Sequence, residues 1–282
     1  MKVFPFKIPK QKNEALVYQE DIEPYFYDKL HQHQEVQISL ILEGEGTFVL
    51  GDSVTHFKSN DIFVIGSNLP HVFKSDIYST NNSQMLSLFF NKDSFGDNFF
   101  KLKEFNSLNS FFNKSLYGIK LNSNKDTVKT KFLKLKNADK LERFIILFEI
   151  LHLICDSKIE QLSSFLYEKN YSDNEGKRMS AVFEYTMNNF NQDISLDKIA
   201  DVANMTSNAF CRYFKQRTNT TYFQFLTKMR IENACKLLNQ NSDLTIAEIA
   251  YKSGFKNISN FNRQFKQLKK TSPLKYKSEH LA

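Results

Sequence analysis

Residues Leu244 to Lys277 read LTIAEIAYKSGFKNISNFNRQFKQLKKTSPLKYK, and the chain is best understood outward from them. Ile246, Ile249 and Ala250 fall on one helical face, Ser253-Gly254-Phe255 breaks the helix, and a second apolar face resumes at Ile258, Phe261 and Phe265. That is a helix-turn-helix pattern. The second helix carries Asn257, Ser259, Asn260, Asn262, Arg263, Lys266, Lys269 and Lys270 around its apolar stripe. Amide, hydroxyl and cationic groups in that mixture suit the base edges and phosphates of double-stranded DNA.

The pattern occurs once before. Ile199-Ala200, the break at Ala203-Asn204-Met205, then Phe210, Arg212, Phe214 and Lys215 match the later unit at an offset of 50 to 51 residues. Asn204 stands where the second unit has Gly254, and Asn is the non-glycine residue that best tolerates a left-handed turn. Between the units, Tyr222 to Leu238 reads as one long helix. Two such units in one chain can place their second helices in successive major grooves, about 34 Å apart.

The first recognition helix is expected to start at Thr206 or Ser207, with Phe210 and Phe214 inward and Asn208, Cys211 and Arg212 outward. The second is expected to be capped by Asn257, with Phe261 and Phe265 inward and Ile258, Ser259, Asn262 and Arg263 outward. Arg212 and Arg263 are the candidates for guanine recognition, and a phosphate clamp or an intradomain ion pair is the competing role for each. Lys215, Lys266, Lys269 and Lys270 are expected to attract phosphates.

The run from Ile194 to Lys277, about 84 residues, resembles the DNA-binding domain of the AraC family of bacterial transcription regulators. The resemblance is carried by ISLDKIADVANMTSNAFCRYFK, RIENACKLL, IAEIAYKSGFKNISNFNRQFK and SPLKYK. It places Arg230 and Ala234 in the connecting helix and closes the domain with Ser272-Pro273 and Tyr276. Lys277 stands where the family usually has arginine. The outward positions named above match those through which the family reads bases.

Charge is distributed as that reading requires. Residues 1 to 175 hold 21 Lys+Arg against 23 Asp+Glu, net −2, whereas residues 176 to 282 hold 17 against 8, net +9. The positive half is the half with the repeats. Cys155, Cys211 and Cys235 have no CxxC spacing, so neither a disulfide framework nor a structural zinc site is expected. The N-terminus lacks an apolar run of signal-peptide length, and Phe144 to Cys155 is too short to span a bilayer and contains Glu149 and His152. A cytoplasmic protein without a membrane partner is expected.

From Val36 to Phe90 the chain alternates in short strands: Val36 to Leu42, Thr47 to Leu50, Ser53 to Phe57, Ile62 to Ile65, Val72 to Phe73 and Gln84 to Phe90. Evenly spaced strands suggest a small antiparallel barrel or sandwich. HQHQEVQISLILEGEGTF, SNDIFVI and NLPHVF resemble the cupin-type sensor domain often joined to this DNA-binding domain. If the polar strand face points inward, His31, His33, Glu35, Gln37 and His71 line a pocket for a small polar effector such as a sugar. Metal-binding cupins hold a divalent ion with an HxH pair, a carboxylate a few residues on and a distant histidine. Here Gln37 takes the carboxylate's place, and a neutral amide is a poor ligand for a hard cation.

After Phe90 the pattern becomes helical. Asp139 to Glu142 reads as a capping box opening a helix through Cys155, whose apolar surface exceeds one face; it packs under the barrel or against a second copy, as dimer helices do in the resembled family. His152 is expected in its core. EKNYSDNEGK, residues 168–177, reads as a linker.

The expected fold is α+β: a cupin-like barrel with trailing helices over 1–167, then an all-α domain with two helix-turn-helix units over 178–282. The expected function is a sequence-specific regulator, an activator by the family's usual habit, with DNA, a small effector and RNA polymerase as partners and a homodimer as its form. A regulator whose first half only dimerises or holds a partner is one alternative, and a metal cupin enzyme fused to a DNA-binding domain is another. No nucleophile with a base and no glycine-rich phosphate loop is present, so neither catalysis nor a cofactor is expected.

Overall fold

The computed structural model describes residues 14–76, 82–96, 98–166, 173–240 and 243–280. It divides into two compact units, residues 1–53 with 57–173 and residues 174–282 with 54–56.

In the first unit seven strands come early: β1 (Leu16–Glu23), β2 (Val36–Glu43), β3 (Gly46–Leu50), β4 (Ser53–Phe57), β5 (Ile62–Ile65), β6 (His71–Ser75) and β7 (Ser83–Phe90). Helices α1 (Asn106–Ser115), α2 (Lys125–Lys134) and α3 (Lys140–Cys155) follow, with short strands β8 (Ile119–Leu121) and β9 (Ile159–Gln161) between and after them. One sheet runs β1-β7-β2-β5-β8-β9 and the other β4-β3-β6.

The two-residue period of β2 explains the layering. Val36, Ile38 and Leu40 join Ile62, Val64, Leu86, Leu88 and Phe90 beneath the helices, packed against Val128, Phe132, Ile146, Leu147 and Ile150. Ile41, one residue out of phase, belongs instead to an inner cluster with Phe48, Phe57, Phe63 and Phe73. The central strand is therefore buried on both faces, and the polar residues that share the inner phase, Gln37 and Ser39, are buried too.

Asp139 caps α3 by accepting the Glu142 backbone N–H at 2.8 Å. The inward stripe of α3 is Ile146, Leu147, Ile150, Leu151 and Ile154. At 100° per residue that stripe turns His152 outward. Its side chain is 76% exposed and 3.6 Å from Asp156, which corrects its expected place in the core. Leu141 and Ile145 are also exposed, at 69% and 54%.

From Asp173 on, the described elements are all helical: α4 (Asp173–Asn189), α5 (Leu196–Val202), α6 (Ser207–Thr218), α7 (Tyr222–Asn239), α8 (Ile246–Lys252), α9 (Ile258–Lys269) and α10 (Pro273–His280). Of the expected linker, 168–172 lie outside the described residues, whereas 173–177 form the first turns of α4. A single glycine costs a helix only about 1 kcal/mol, and the buried Met179, Val182 and Phe183 that follow hold α4 in place. α7 opens on a capping box between Thr221 and Gln224 and buries residues all along its length, from Tyr222 to Leu238.

Candidate nucleic-acid interface and sensor pocket

The two helix-turn-helix units are built by the same local chemistry. Ser195 caps α5 and Thr206 caps α6, while Thr245 forms a capping box with Glu248 at the start of α8 and Asn257 caps α9. In the first turn Asn204 has φ +51°, and the Met205 N–H returns to the Ala200 carbonyl at 3.0 Å. In the second Gly254 has φ +88°, and the Phe255 N–H returns to the Ala250 carbonyl at 3.0 Å. Each bond satisfies a carbonyl that the preceding helix leaves open. The correspondence of Asn204 with Gly254 is thus conformational as well as positional.

Packing fixes which faces remain outside. Phe210 and Phe214 are fully buried, with Phe183, Tyr222 and Phe225 in ring contact around Phe214. Phe261 and Phe265 are fully buried against Ile231, Ala234, Leu238, Ile249 and Phe255. Asn208, Cys211, Arg212 and Lys215 are left exposed on α6, and Ile258, Ser259, Asn262, Arg263 and Lys266 on α9. Ile258, at 45% exposed, is an apolar side chain held in water by its position opposite the core.

Three of the expected residues have local duties. Ser207 donates from its hydroxyl to Asp197. The Asn257 side chain accepts the N–H groups of Ser259 and Asn260 at 2.8 and 3.2 Å, so its oxygen is occupied as the cap. Arg263 donates from Nη2 to Asn260 Oδ1 at 2.9 Å, which holds the guanidinium along the helix face. Lys269, expected to meet phosphate, instead turns inward. It pairs with Glu232 on α7 at 2.5 Å, because its place on α9 puts it over the connecting helix.

Arg230 on α7 donates to the Phe190 and Gln192 carbonyls at 2.7 and 2.8 Å. It anchors the chain just beyond α4 to the connecting helix. An alanine at 230 should lower stability by about 2 kcal/mol, since charged donors to main-chain carbonyls are worth about 1.5–3 kcal/mol; urea denaturation measures the loss.

In the first unit a cavity of about 360 Å³ opens between β1, the segment after it and the inner face of β2, β6 and β7. Of the five expected lining residues, His31, Gln37 and His71 line it. His31 is not in a strand but bridges His71, with main-chain bonds of 2.9 and 3.0 Å in both directions. His33 sits behind the wall, its Nδ1 2.9 Å from the Glu35 carbonyl and its Nε2 3.0 Å from Gln37 Oε1. Glu35 is not on the wall. Its carboxylate lies 3.5 Å from the Asn91 amide and 3.9 Å from His33 Nδ1, because the chain enters β2 here with that side chain turned to the margin of the sheet.

Gln19, Asp21, Glu23, Tyr25 and Tyr27 also line the cavity and were missed. Gln19, Asp21 and Glu23 alternate with Tyr18, Glu20 and Ile22, a two-residue period that marks β1.

The ligand atoms of His31, His33 and His71 lie within 4.8 Å of one another. Nδ1 of His31 is 2.9 Å from the Lys29 carbonyl and Nδ1 of His71 is 2.8 Å from that of Leu69. The Nδ1–H groups of His31 and His71 thus point at main chain, leaving their Nε2 atoms as acceptors, whereas His33 donates from Nε2 to Gln37 Oε1. The Nε2 of His33 is engaged, however, by a chain that continues from the Gln37 amide to Ser39 at 2.7 Å and from Ser39 to Ser87 at 2.8 Å. Binding an ion with all three rings would break that buried chain, and no carboxylate stands at the fourth position. As placed, the residues do not fit the ion of a metal cupin.

Burial holds all three imidazoles below their ordinary range, His31 at about 4. A base with a depressed folded pKa contributes stability that is complete above its unfolded value, near 6.5, and is lost as pH falls toward the folded value. Stability should therefore fall between pH 7 and pH 5, by up to about 1.4 kcal/mol per histidine per pH unit, and the melting temperature with it. A flat profile over that window in a thermal melt would contradict neutral imidazoles.

A family profile described as an AraC-like ligand binding domain matches residues 13–89, and one described as a helix-turn-helix domain matches residues 199–279. The chain is similar to the uncharacterized HTH-type transcriptional regulator YdeC of Bacillus subtilis, 30% identical over 100 residues that make up 36% of this chain and 34% of that protein. It is similar to an uncharacterized HTH-type transcriptional regulator of Haemophilus influenzae, 26% identical over 140 residues, 50% of this chain and 44% of that protein. The chain therefore spans between a third and a half of the length of these relatives. Among solved structures, the C-terminal domain of AraT, a response regulator from Geobacillus stearothermophilus, is 28% identical and covers 39% of this chain and 88% of its own, with a TM-score of 0.35. Among the described residues no helix is long and apolar enough to cross a membrane.

Proposed function

Because the chain belongs to the AraC family, with an AraC-like ligand binding domain ahead of a helix-turn-helix domain, we propose that it binds double-stranded DNA sequence-specifically and regulates transcription in response to a small molecule held in the sensor cavity. The observation that carries this reading is the repeated turn, which leaves two helix faces, on α6 and α9, exposed, polar and cationic beside fully buried aromatic stripes. Arg212 and Arg263 read bases, with Asn208, Cys211, Ile258, Ser259 and Asn262 beside them; Lys215 and Lys266 meet phosphates, as Lys270 does at the end of α9. Asn257 acts by setting the start of α9, and Ser207 by tying the start of α6 to Asp197 on α5.

The domain division proposed is a sensor over 1–167 and a DNA-binding domain over 178–282. A small polar effector, a sugar being the class first expected, shifts DNA affinity or the contact with RNA polymerase, and activation is the outcome adopted. The protein acts in the cytoplasm as a homodimer, for which the exposed Leu141 and Ile145 of α3 offer an apolar face. The reading in which the first domain only dimerises is less well supported, because side chains leave a cavity of about 360 Å³ unfilled. The metal cupin enzyme is disfavoured by the engaged His33.

Selection of bound sequences from a random DNA pool by the full chain, at near-physiological salt, tests the proposal. One motif with two blocks about one helical turn apart is expected. A single block would assign one unit to positioning, and no enrichment under any condition would sink the reading. Lys266→Ala should weaken binding alike across sequences and reduce the slope of log K against log salt by about 1, measured by fluorescence anisotropy.

A further inference from the structure

The hydrogen-bonding inventory of the sensor cavity leans toward acceptors. His71, 1% exposed, has a buried Nε2 without a hydrogen-bond partner, and with Nδ1–H on the Leu69 carbonyl that Nε2 is an acceptor. Gln19 donates its amide N–H to Asp21 at 2.6 Å, so its buried and equally unpartnered Oε1 is a second acceptor on the same wall. Asp21 and Glu23 add carboxylates from the same face of β1, and no lysine or arginine is among the described residues that line the cavity. Much of the donor capacity is spent within the wall: one N–H of the Gln37 amide goes to Ser39, one of the Gln19 amide to Asp21, and the Nδ1–H groups of His31 and His71 to main-chain carbonyls, while the Tyr25 and Tyr27 hydroxyls can donate or accept.

A neutral polyol would fit this wall poorly. Each of its hydroxyl oxygens brings acceptor lone pairs as well as a donor, and an acceptor buried without a donor costs about 1–3 kcal/mol. An ammonium group brings donors alone, together with a charge that the carboxylates complement. The remaining wall suits the carbon attached to such a group: Phe26, Phe73 and Phe89 are buried, Tyr25 and Tyr27 stand beside them, and aromatic faces attract cations. We propose that the sensor cavity takes a small organic cation, an amine whose N–H groups bond to Asp21, Gln19 Oε1 and His71 Nε2. This rests on the reading of the cavity as the effector site and replaces the sugar first expected with a different ligand class. Burial holds the Asp21 carboxyl above its ordinary range, a strain that a bound cation relieves.

Calorimetric titration of the full chain tests it with charge-matched pairs: 2-phenylethylamine against 2-phenylethanol, and 1,4-diaminobutane against 1,4-butanediol, with L-arabinose and Zn²⁺ alone as further probes. At least one amine should bind ten-fold or more tightly than its alcohol. Asp21→Asn should erase that preference; Glu23→Gln, at the exposed end of β1, should reduce it and guards against a misfolded Asn variant, as does a thermal melt of each. Alcohols or arabinose binding as well as the amines would overturn the cation while leaving an effector site. Amine binding indifferent to both substitutions would place the cation elsewhere and overturn it too, and tight Zn²⁺ binding with silent amines would reassign the trio of histidines to a metal. No binding by any probe would overturn both this inference and the effector reading.

Discussion

Gly254→Ala is expected to destabilise the second unit by about 2–5 kcal/mol and to abolish sequence-specific DNA binding. Two effects add. The residue sits at φ +88°, where an L side chain costs about 1–2 kcal/mol. A Cβ there would also lie 2.8 Å from Arg230 Nε, 2.8 Å from the Phe190 carbonyl oxygen and 2.9 Å from Asn191 Cα. Arg230 cannot swing aside without losing its bonds to Phe190 and Gln192, and two of the three obstructing atoms are backbone. Overpacking of this kind costs about 1–3 kcal/mol.

The converse change in the first unit supplies the control. Asn204 already occupies the left-handed region, on an exposed turn. Asn204→Gly should therefore shift stability by less than about 1 kcal/mol. Urea denaturation of both variants, with anisotropy on the selected operator, measures the contrast. Equal stabilities for Gly254→Ala and wild type would mean that the second turn does not hold α9 in its place.

Arg263→Ala should lower affinity for the selected site by about 5- to 150-fold and relax preference at a single base pair, the loss of one bidentate guanine contact being worth about 1–3 kcal/mol. Arg212→Ala should do the same at a position in the other block. The geometry favours base reading for Arg263, since Asn260 Oδ1 orients its guanidinium on the exposed face of α9. Repeating the selection with each variant is the measurement. A uniform drop across all sequences would make that arginine a phosphate contact. Asn257→Ala separates the two effects from helix stability: it removes a cap worth about 1 kcal/mol and should weaken binding without changing the motif.

What the linear chain determines here is periodic. The 3.6-residue stripes that end in Phe261 and Phe265, their copies at Phe210 and Phe214, the caps at Thr206 and Asn257, and the αL turns at Asn204 and Gly254 all depend on neighbours within a few residues, so they are legible without coordinates. The inner and outer phases of β2 are legible for the same reason. Tertiary structure decides everything that depends on partners distant in sequence. Lys269 looks like its exposed neighbours until Glu232 is brought beneath it, and His152 looks buried until the sheet selects the other stripe of α3. The cavity is the fullest case: its acceptors come from β1, β6 and the bridge at His31, and whether Gln19 Oε1 and His71 Nε2 are spent or unspent is settled only by which donors the fold carries to them. Local spacing encodes helices and turns because their hydrogen bonds close over three to five residues. It cannot encode a pocket, whose lining is brought together across dozens of residues, and so the character of the cavity wall is set by the pairing of β1 with β7 and the placement of β6 rather than by any motif.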